Sequence, residues 1–407
     1  MTSEYAASAT PAMALERRVR SNVVRLAIAQ ALAGANASVI FATGSIIGVI
    51  MAPDPSLATV PLSVFVVGMA AGTLPTGYIA RTRGRRAAFM FGTGSGILTG
   101  LIAAVAVVLG SFGLFCVATL FGGLYASVVQ SFRFAAADGA TPAFRPRALS
   151  WVMAGGVFAG VIGPQLVTWT MDLWQPYLFA VSYLAQAGVA LVSMIVLAGV
   201  DVPKPKPADH AGGRPLGVIA RQPRFVAAVI CGIVAQSMMN LVMTSAPLAM
   251  RMCDLPIVSS NWAIQWHIVA MYGPSFFTGA FIARFGASRV VMAGMAITAL
   301  AAVVGLSGIT ETHFFVTLIL LGLGWNFGFV GASAMVLETH SPQERTRVQS
   351  FNDFLVFGVT ALGSFSSGQL LALHGWQSVC WVVFPPMAIA VLVLSATGSL
   401  QRRTLAS

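Results

Sequence analysis

Charge is what this sequence has least of. Only 9% of its residues are charged, against 57% hydrophobic and a mean hydropathy of +0.83. A water-soluble domain carries about 25% charged residues, so water is excluded as the solvent for most of this surface and lipid is implied. Carboxylates are scarcer still, with 12 Asp and Glu against 23 Lys and Arg. The basic residues sit in small clusters at the ends of apolar runs rather than in one dense domain, which excludes nucleic acid as a partner. The four cysteines, Cys116, Cys231, Cys253 and Cys380, are scattered and give neither a disulfide framework nor a zinc spacing. No H-E-x-x-H, C-x-x-C or G-x-S-x-G occurs, so no metal, cofactor or catalytic centre is expected and an enzyme is disfavoured.

What the chain does have is apolar runs of spanning length, each needing about 20 residues. They are expected at 24–51, 58–80, 87–109, 112–136, 148–171 and 177–199. Six more are expected at 225–250, 262–283, 288–308, 313–336, 348–373 and 377–398. The first is longer than the apolar core of a secretory signal and is read as an uncleaved span. A polar stretch at 201–224, with Pro203-Lys204-Pro205-Lys206-Pro207, reads as a linker. Residues 1–200 and 225–407 are therefore expected to form two six-helix units. With both termini in the cytoplasm, Arg251 alone of the 23 Lys and Arg falls outside the cytoplasmic segments. That asymmetry supports both the orientation and the count of spans, since one miscounted helix inverts everything after it.

The second half echoes the first. The turn Gly77-Tyr78-Ile79-Ala80-Arg81-Thr82-Arg83-Gly84-Arg85-Arg86 returns as Gly279-Ala280-Phe281-Ile282-Ala283-Arg284-Phe285-Gly286-Ala287-Ser288-Arg289, at an offset of 202. At an offset of 200, Pro142, Arg145, Arg147 and Ser150 match Pro342, Arg345, Arg347 and Ser350. Gly122, Tyr125 and Asp138 match Gly322, Trp325 and Glu338 at the same offset. A parallel repeat of six-helix units places a solute site near mid-membrane, between the halves.

On these residues the chain resembles the major facilitator superfamily, over essentially its whole length. The family's loop between helices 2 and 3 reads roughly G-x-L-A-D-R-x-G-R-R, and Gly77, Ala80, Gly84, Arg85 and Arg86 fit it. Arg81 and Thr82 depart from it, standing where the family usually has aspartate and arginine. The family's aspartate helps latch the halves on the cytoplasmic side. That role does not transfer to Arg81, and Asp138 is the alternative acidic partner. Gly155, Gly156, Gly160, Gly163 and Pro164 are similar to the glycine-rich antiporter motif with altered spacing. The arginine that many drug exporters carry early in helix 4 is missing; Ala118 or Thr119 stands there. The stretch Arg133-Phe134-Ala135-Ala136-Ala137-Asp138 resembles a bacterial branch that includes riboflavin uptake proteins. The resemblance implies a twelve-helix, all-α inner-membrane transporter working by alternating access. Its partners are then a small-molecule solute, the lipid bilayer and a coupling ion such as H+, with the protein a monomer. Uptake of a riboflavin-like solute and proton-coupled efflux of a drug or metabolite both stand as readings.

Polar residues within spans are costly and therefore informative. In the family helices 1, 4, 7 and 10 line the cavity, so Asn36, Gln130, Arg133, Gln236, Asn240 and Asn326 are candidate solute contacts. Hydrogen bonding between helices is the competing account of each. Tyr125 and Trp325, at equivalent positions, are candidates to clamp a planar solute between two rings, with simple core packing as the alternative. Arg133 either reaches the cavity mouth or snorkels to the interface. Asp353, beside Asn352, is the candidate for proton coupling or for an ion pair with loop arginines. Gly77, Arg81, Gly84, Arg85, Arg86, Asp138 and Asp353 make up the expected gating set.

Overall fold

The computed structural model describes residues 2–54, 57, 60–138, 140–202 and 213–406, all helix and connecting turns with no strand among them. The Pro-Lys core of the expected linker, 203–212, lies outside the described residues. The first half comprises α1 (Thr2–Met51), α2 (Val60–Arg83), α3 (Arg85–Leu109), α4 (Phe112–Asp138), α5 (Arg145–Ala154), α6 (Gly156–Thr170) and α7 (Ala180–Ala198). A short α8 (Leu216–Ala220) follows. The second half comprises α9 (Pro223–Met252), α10 (Ile257–Tyr272), α11 (Ser275–Phe285), α12 (Ala287–Ser307) and α13 (Glu311–Trp325). A π-helical turn (Asn326–Val330) joins α13 to α14 (Gly331–Leu337), and α15 (Arg345–Trp381) and α16 (Phe384–Ala406) complete it.

Eleven helical stretches among the described residues are long and apolar enough to cross a membrane. The remaining expected span, 348–373, lies in α15, which continues past it through a kink at Gly375. Twelve spans in two bundles result. Their outer faces carry large exposed apolar side chains, Leu362, Leu392, Trp169 and Leu173 among them. Gln, Asn and Arg side chains are buried inside. This inversion of the soluble pattern suits lipid, where backbone groups must be satisfied within each helix.

The expected boundaries change in four places. α1 begins at Thr2, well before the apolar run. The spans expected at 148–171 and 262–283 each break in two. Gly155 presses on the Ala27 carbonyl, where a Cβ would come within 2.2 Å, and Gly156 restarts the helix as α6. Pro274, lacking an N–H, separates α10 from α11 after Gly273. The run at 313–336 carries the π-helical turn, whose extra residue rotates α14 relative to α13.

The duplication survives in the backbone. Gly84 (φ 93°) and Gly286 (φ 84°) open α3 and α12 in the same left-sided conformation. Only glycine adopts it without strain, and it lets two spans meet in a one-residue turn.

Candidate functional site

The halves meet along two seams related by the repeat, α2 against α15 and α11 against α5. In the first, Gly77 faces Ser350; a Cβ on Gly77 would come within 2.0 Å of the serine Oγ. In the second, the equivalent Gly279 faces Ser150 and the Pro146–Arg147 backbone, with the Pro146 carbonyl oxygen 2.6 Å from a Cβ. The two glycines that mark the repeat are therefore both points where the halves pack too closely to admit a Cβ. A difference in chemistry makes this testable. Gly77→Ala is expected to hold the first seam apart and to be rescued by Ser350→Gly, because the obstacle is a side chain. Gly279→Ala is expected to resist rescue by Ser150→Gly, because the obstacle is backbone. Cross-linking of paired cysteines across each seam reads both results.

Beside these glycines lies a charge network. Arg85 is 6% exposed. It donates to Asp138 Oδ2 from Nε and Nη2 at 3.0 and 2.8 Å, and from Nη2 to Gln349 Oε1 in the other half at 2.5 Å. Arg345 of the second half stands 3.8 Å from the same carboxylate. Asp138 is thus shared between halves, while Arg81 and Arg86 are exposed and Arg81 lies 6.0 Å from the Tyr78 ring.

Deeper in the seam, Arg133 is fully buried. It does not snorkel. Its Nη2 donates to Asp353 Oδ1 at 2.7 Å and its Nε to Ser333 Oγ at 3.1 Å. Nη1 donates to the Gln130 carbonyl and to its Oε1. Its guanidinium lies 4.4 Å from the Phe134 ring centre and 4.7 Å from that of Phe329. Asp353 accepts a second hydrogen bond from Asn352 Nδ2 at 3.0 Å. One cation and one carboxylate, from opposite halves, thus close a buried contact in a medium where neither tolerates isolation.

An aromatic column rises from this pair. Phe329 stacks on Trp325 at 4.9 Å, and Tyr272 meets Trp325 edge-on at 5.6 Å. Tyr272 in turn lies against Gly156 of the first half. Trp325 Nε1 donates to Gln236 Oε1 at 2.8 Å. The expected clamp of Tyr125 against Trp325 is not assembled. Tyr125 turns toward α3, where its ring fills the space above Gly96, and it belongs to the core of the first half. Tyr272 and Phe329 are the rings that Trp325 meets.

The remaining expected contacts separate. Asn36 accepts a hydrogen bond from Gln186 within the first half. Asn240 donates to Ser364 Oγ at 2.8 Å. Asn326 is completely used: it accepts from Thr278 and donates to the Met271 carbonyl and to Ser275, which fastens the α10–α11 break. Reasoning from sequence missed Ser333, Gln349, Tyr272 and Phe329. The first had a signal, because Ser333 is the repeat equivalent of Arg133. No group of three or more His, Cys, Asp or Glu able to hold a metal occurs among the described residues.

Outside the spans, Glu344 pins the described C-terminal part of the linker to the start of α15. Its carboxylate accepts from Arg214 Nε and Nη2 at 2.9 and 2.8 Å, and from the Arg214 and Ser341 backbone N–H groups. Chiefly through the Arg214 hydrogen bonds, its pKa lies well below the ordinary carboxylate value. A depressed pKa stabilises the fold above the unfolded value and loses that contribution only as pH falls through the folded one. Glu344→Gln is therefore expected to lower the thermal midpoint by a few degrees at neutral pH, Arg214 being half-exposed and screened. The difference from wild type should vanish only in strong acid. Burial lowers the pKa of His340 beside it, disfavouring the charged imidazolium.

Comparison with known proteins places this geometry among relatives. The family model described as Major Facilitator Superfamily matches residues 26–273 and 256–404. A protein of Brucella anthropi named riboflavin transporter RfnT is 44% identical over 378 residues, covering 92% of this chain and 95% of that one. An uncharacterised transporter of Bacillus subtilis, YdeG, is 26% identical over 85% of each chain. Among solved structures, the proton:xylose symporter XylE matches with a TM-score of 0.77 at 15% identity, covering 94% of this chain and 96% of that one. A bacterial homologue of the iron transporter ferroportin, in an outward-facing state, matches at 0.70 and 13%, covering 93% of this chain and 99% of that one. At such identities these structures speak to the fold alone.

Proposed function

The chain belongs to the major facilitator superfamily and is a multi-pass membrane transporter, and from that premise we propose that the solute it carries is riboflavin, taken up across a bacterial inner membrane. The observation that carries this is the 44% identity with the riboflavin transporter over nearly the full length of both chains. The chemistry at the seam supports it. Riboflavin presents a flat, neutral ring system edged with carbonyl and imide groups. Trp325, Tyr272 and Phe329 offer flat faces, Gln130 and Gln236 offer amides, and Arg133 offers donors for carbonyl oxygens. In the present conformation these groups satisfy one another. The solute enters as they part, replacing partners they already have.

Residues 1–200 and 225–407 act in this reading as two rocking bodies joined by 201–224. The arginine-rich end is cytoplasmic, by the rule that Lys and Arg stay inside, which puts both termini there. The charged contacts between halves lie toward that end, and in this reading the conformation is the outward-facing one. The carrier works as a monomer and leaves its solute chemically unchanged. Asp353 is the carboxylate best placed to take a coupling proton, since protonation would release Arg133 and free the seam.

Right-side-out and inverted vesicles carrying the protein test the proposal. Uptake predicts saturable riboflavin entry into right-side-out vesicles, stimulated by an inward proton gradient if Asp353 couples. Riboflavin should also raise the thermal midpoint of the purified protein by mass action. Loading of inverted vesicles alone would instead favour efflux. Neither flux nor stabilisation with riboflavin would remove the substrate assignment while leaving the family intact.

A further inference from the structure

A cleft of about 180 Å³ opens at the lipid-facing edge of the α2–α15 seam, lined by Leu74, Gly77, Tyr78, Arg81, Arg347 and Ser350. Its charge is unbalanced. Arg81 comes from the first half and Arg347 from the second, and neither has a carboxylate partner among the described residues. The carboxylates of this end are already engaged: Asp138 with Arg85, Glu338 with Arg224, and Glu344 with Arg214. Arg347 holds its Nη2 on the Arg214 carbonyl at 2.5 Å, and its Nε is out of contact with solvent and has no hydrogen-bond partner. Two like charges are thus drawn into one cleft by the closure of the halves, with no carboxylate among the described residues paired to either.

We propose that this cleft binds the phosphodiester headgroup of an anionic phospholipid, which bridges Arg81 and Arg347 and stabilises the seam in its closed form. Basic pockets between spanning helices at the cytoplasmic surface suit such headgroups. A lipid is favoured over a soluble anion by what leads into the cleft. Val67, Ala71, Leu74 and Tyr78 form one exposed stripe along α2 that ends at Arg81. The stripe gives acyl chains an apolar track, and Tyr78 has the amphipathic ring found at membrane interfaces. The related α5–α11 cleft holds Arg147, Trp151, Phe276, Gly279 and Ala280, but Ala283 stands where Arg81 does, so it has no second arginine to bridge. The paired site belongs to one seam only.

Native mass spectrometry of the full-length protein, titrated with phosphatidylglycerol, tests this. Wild type is expected to retain one phosphatidylglycerol that Arg81→Gln/Arg347→Gln loses, affinity falling about fivefold for each arginine removed. Arg81→Gln alone, at an exposed position, should show the intermediate value and covers the case of a double variant that fails to fold. Arg83→Gln, in the same turn but outside the cleft, should bind as wild type does. In nanodiscs, phosphatidylglycerol should raise the closed fraction at this seam relative to phosphatidylcholine, in wild type and not in the double variant. Equal retention of phosphatidylcholine, full competition by inorganic phosphate, unchanged binding by both Arg81 variants, or equal loss in Arg83→Gln would each overturn the proposal.

Discussion

Asp353→Leu is expected to abolish transport and to lower the stability of the protein by several kcal/mol. The substitution leaves the Arg133 guanidinium fully buried, with Ser333 and Gln130 as neutral partners and no counter-charge. Removing one member of a buried ion pair costs about 3–5 kcal/mol, most of it the penalty of the stranded charge. The escape route is to open the seam and hydrate Arg133, so the same substitution should shift the population away from the closed form. Arg133→Leu/Asp353→Leu separates the two effects. Replacing both partners by apolar groups is often neutral for stability, so the double variant should regain most of its thermal midpoint while transport stays impaired. Thermal unfolding and vesicle flux, measured on the two single variants and the double, complete a cycle. If the double variant were as unstable as Asp353→Leu, the pair would not be the origin of the loss.

On the proposed function, Trp325→Ala is expected to reduce riboflavin uptake by about an order of magnitude or more. Stacking of a flat heterocycle on an aromatic side chain contributes about 1–3 kcal/mol. The indole also anchors Gln236 and supports Phe329, on which Arg133 rests. Because Trp325 is fully buried, truncation also destabilises the fold, by about 3–5 kcal/mol, and a fall in flux alone would be ambiguous. Trp325→Phe resolves this. It keeps a ring against Phe329 and Tyr272 but releases the Gln236 amide. Riboflavin affinity in that variant should fall only modestly, whereas in Trp325→Ala it should fall at least about tenfold, even per folded molecule. Riboflavin-dependent thermal shifts, taken as differences from each variant's own baseline, separate binding from stability. Unchanged affinity in Trp325→Ala would remove the aromatic column from the site.

Much of this architecture could be read from the chain because it rests on one-dimensional signals. The length of apolar runs gave the spans. The glycines at 77 and 279, and at 84 and 286, gave the repeat, and their structural roles proved equally repeated. What could not be read depends on how each helix is rotated. Gln130 and Arg133 were singled out together and do share a contact, yet the partner of Arg133 lies across the interface, where no periodicity within α4 can point. Tyr125 and Trp325 were matched by position in the repeat. The π-helical turn begins immediately after Trp325 and has no counterpart in α4, so equivalent numbers do not imply facing side chains. Asn36 and Asn326 show that buried amides in spans serve helix packing as readily as solute binding. The breaks at Gly155 and Gly273–Pro274 were hidden for another reason. Both lie within runs whose mean hydropathy continues without interruption, so a window average passes over them.

Alternating access requires the halves to part at the arginine-rich end and to close again during each cycle. Spin labels at Thr82, near the end of α2, and Gln343, in the turn leading into α15, both exposed, report that motion in a chain whose four cysteines have been replaced. Two distance populations should be present, exchanging weight when riboflavin is added, with Asp353→Leu displacing the balance toward the longer distance. A single distance, indifferent to riboflavin and to Asp353 in protein that still transports, would contradict the mechanism.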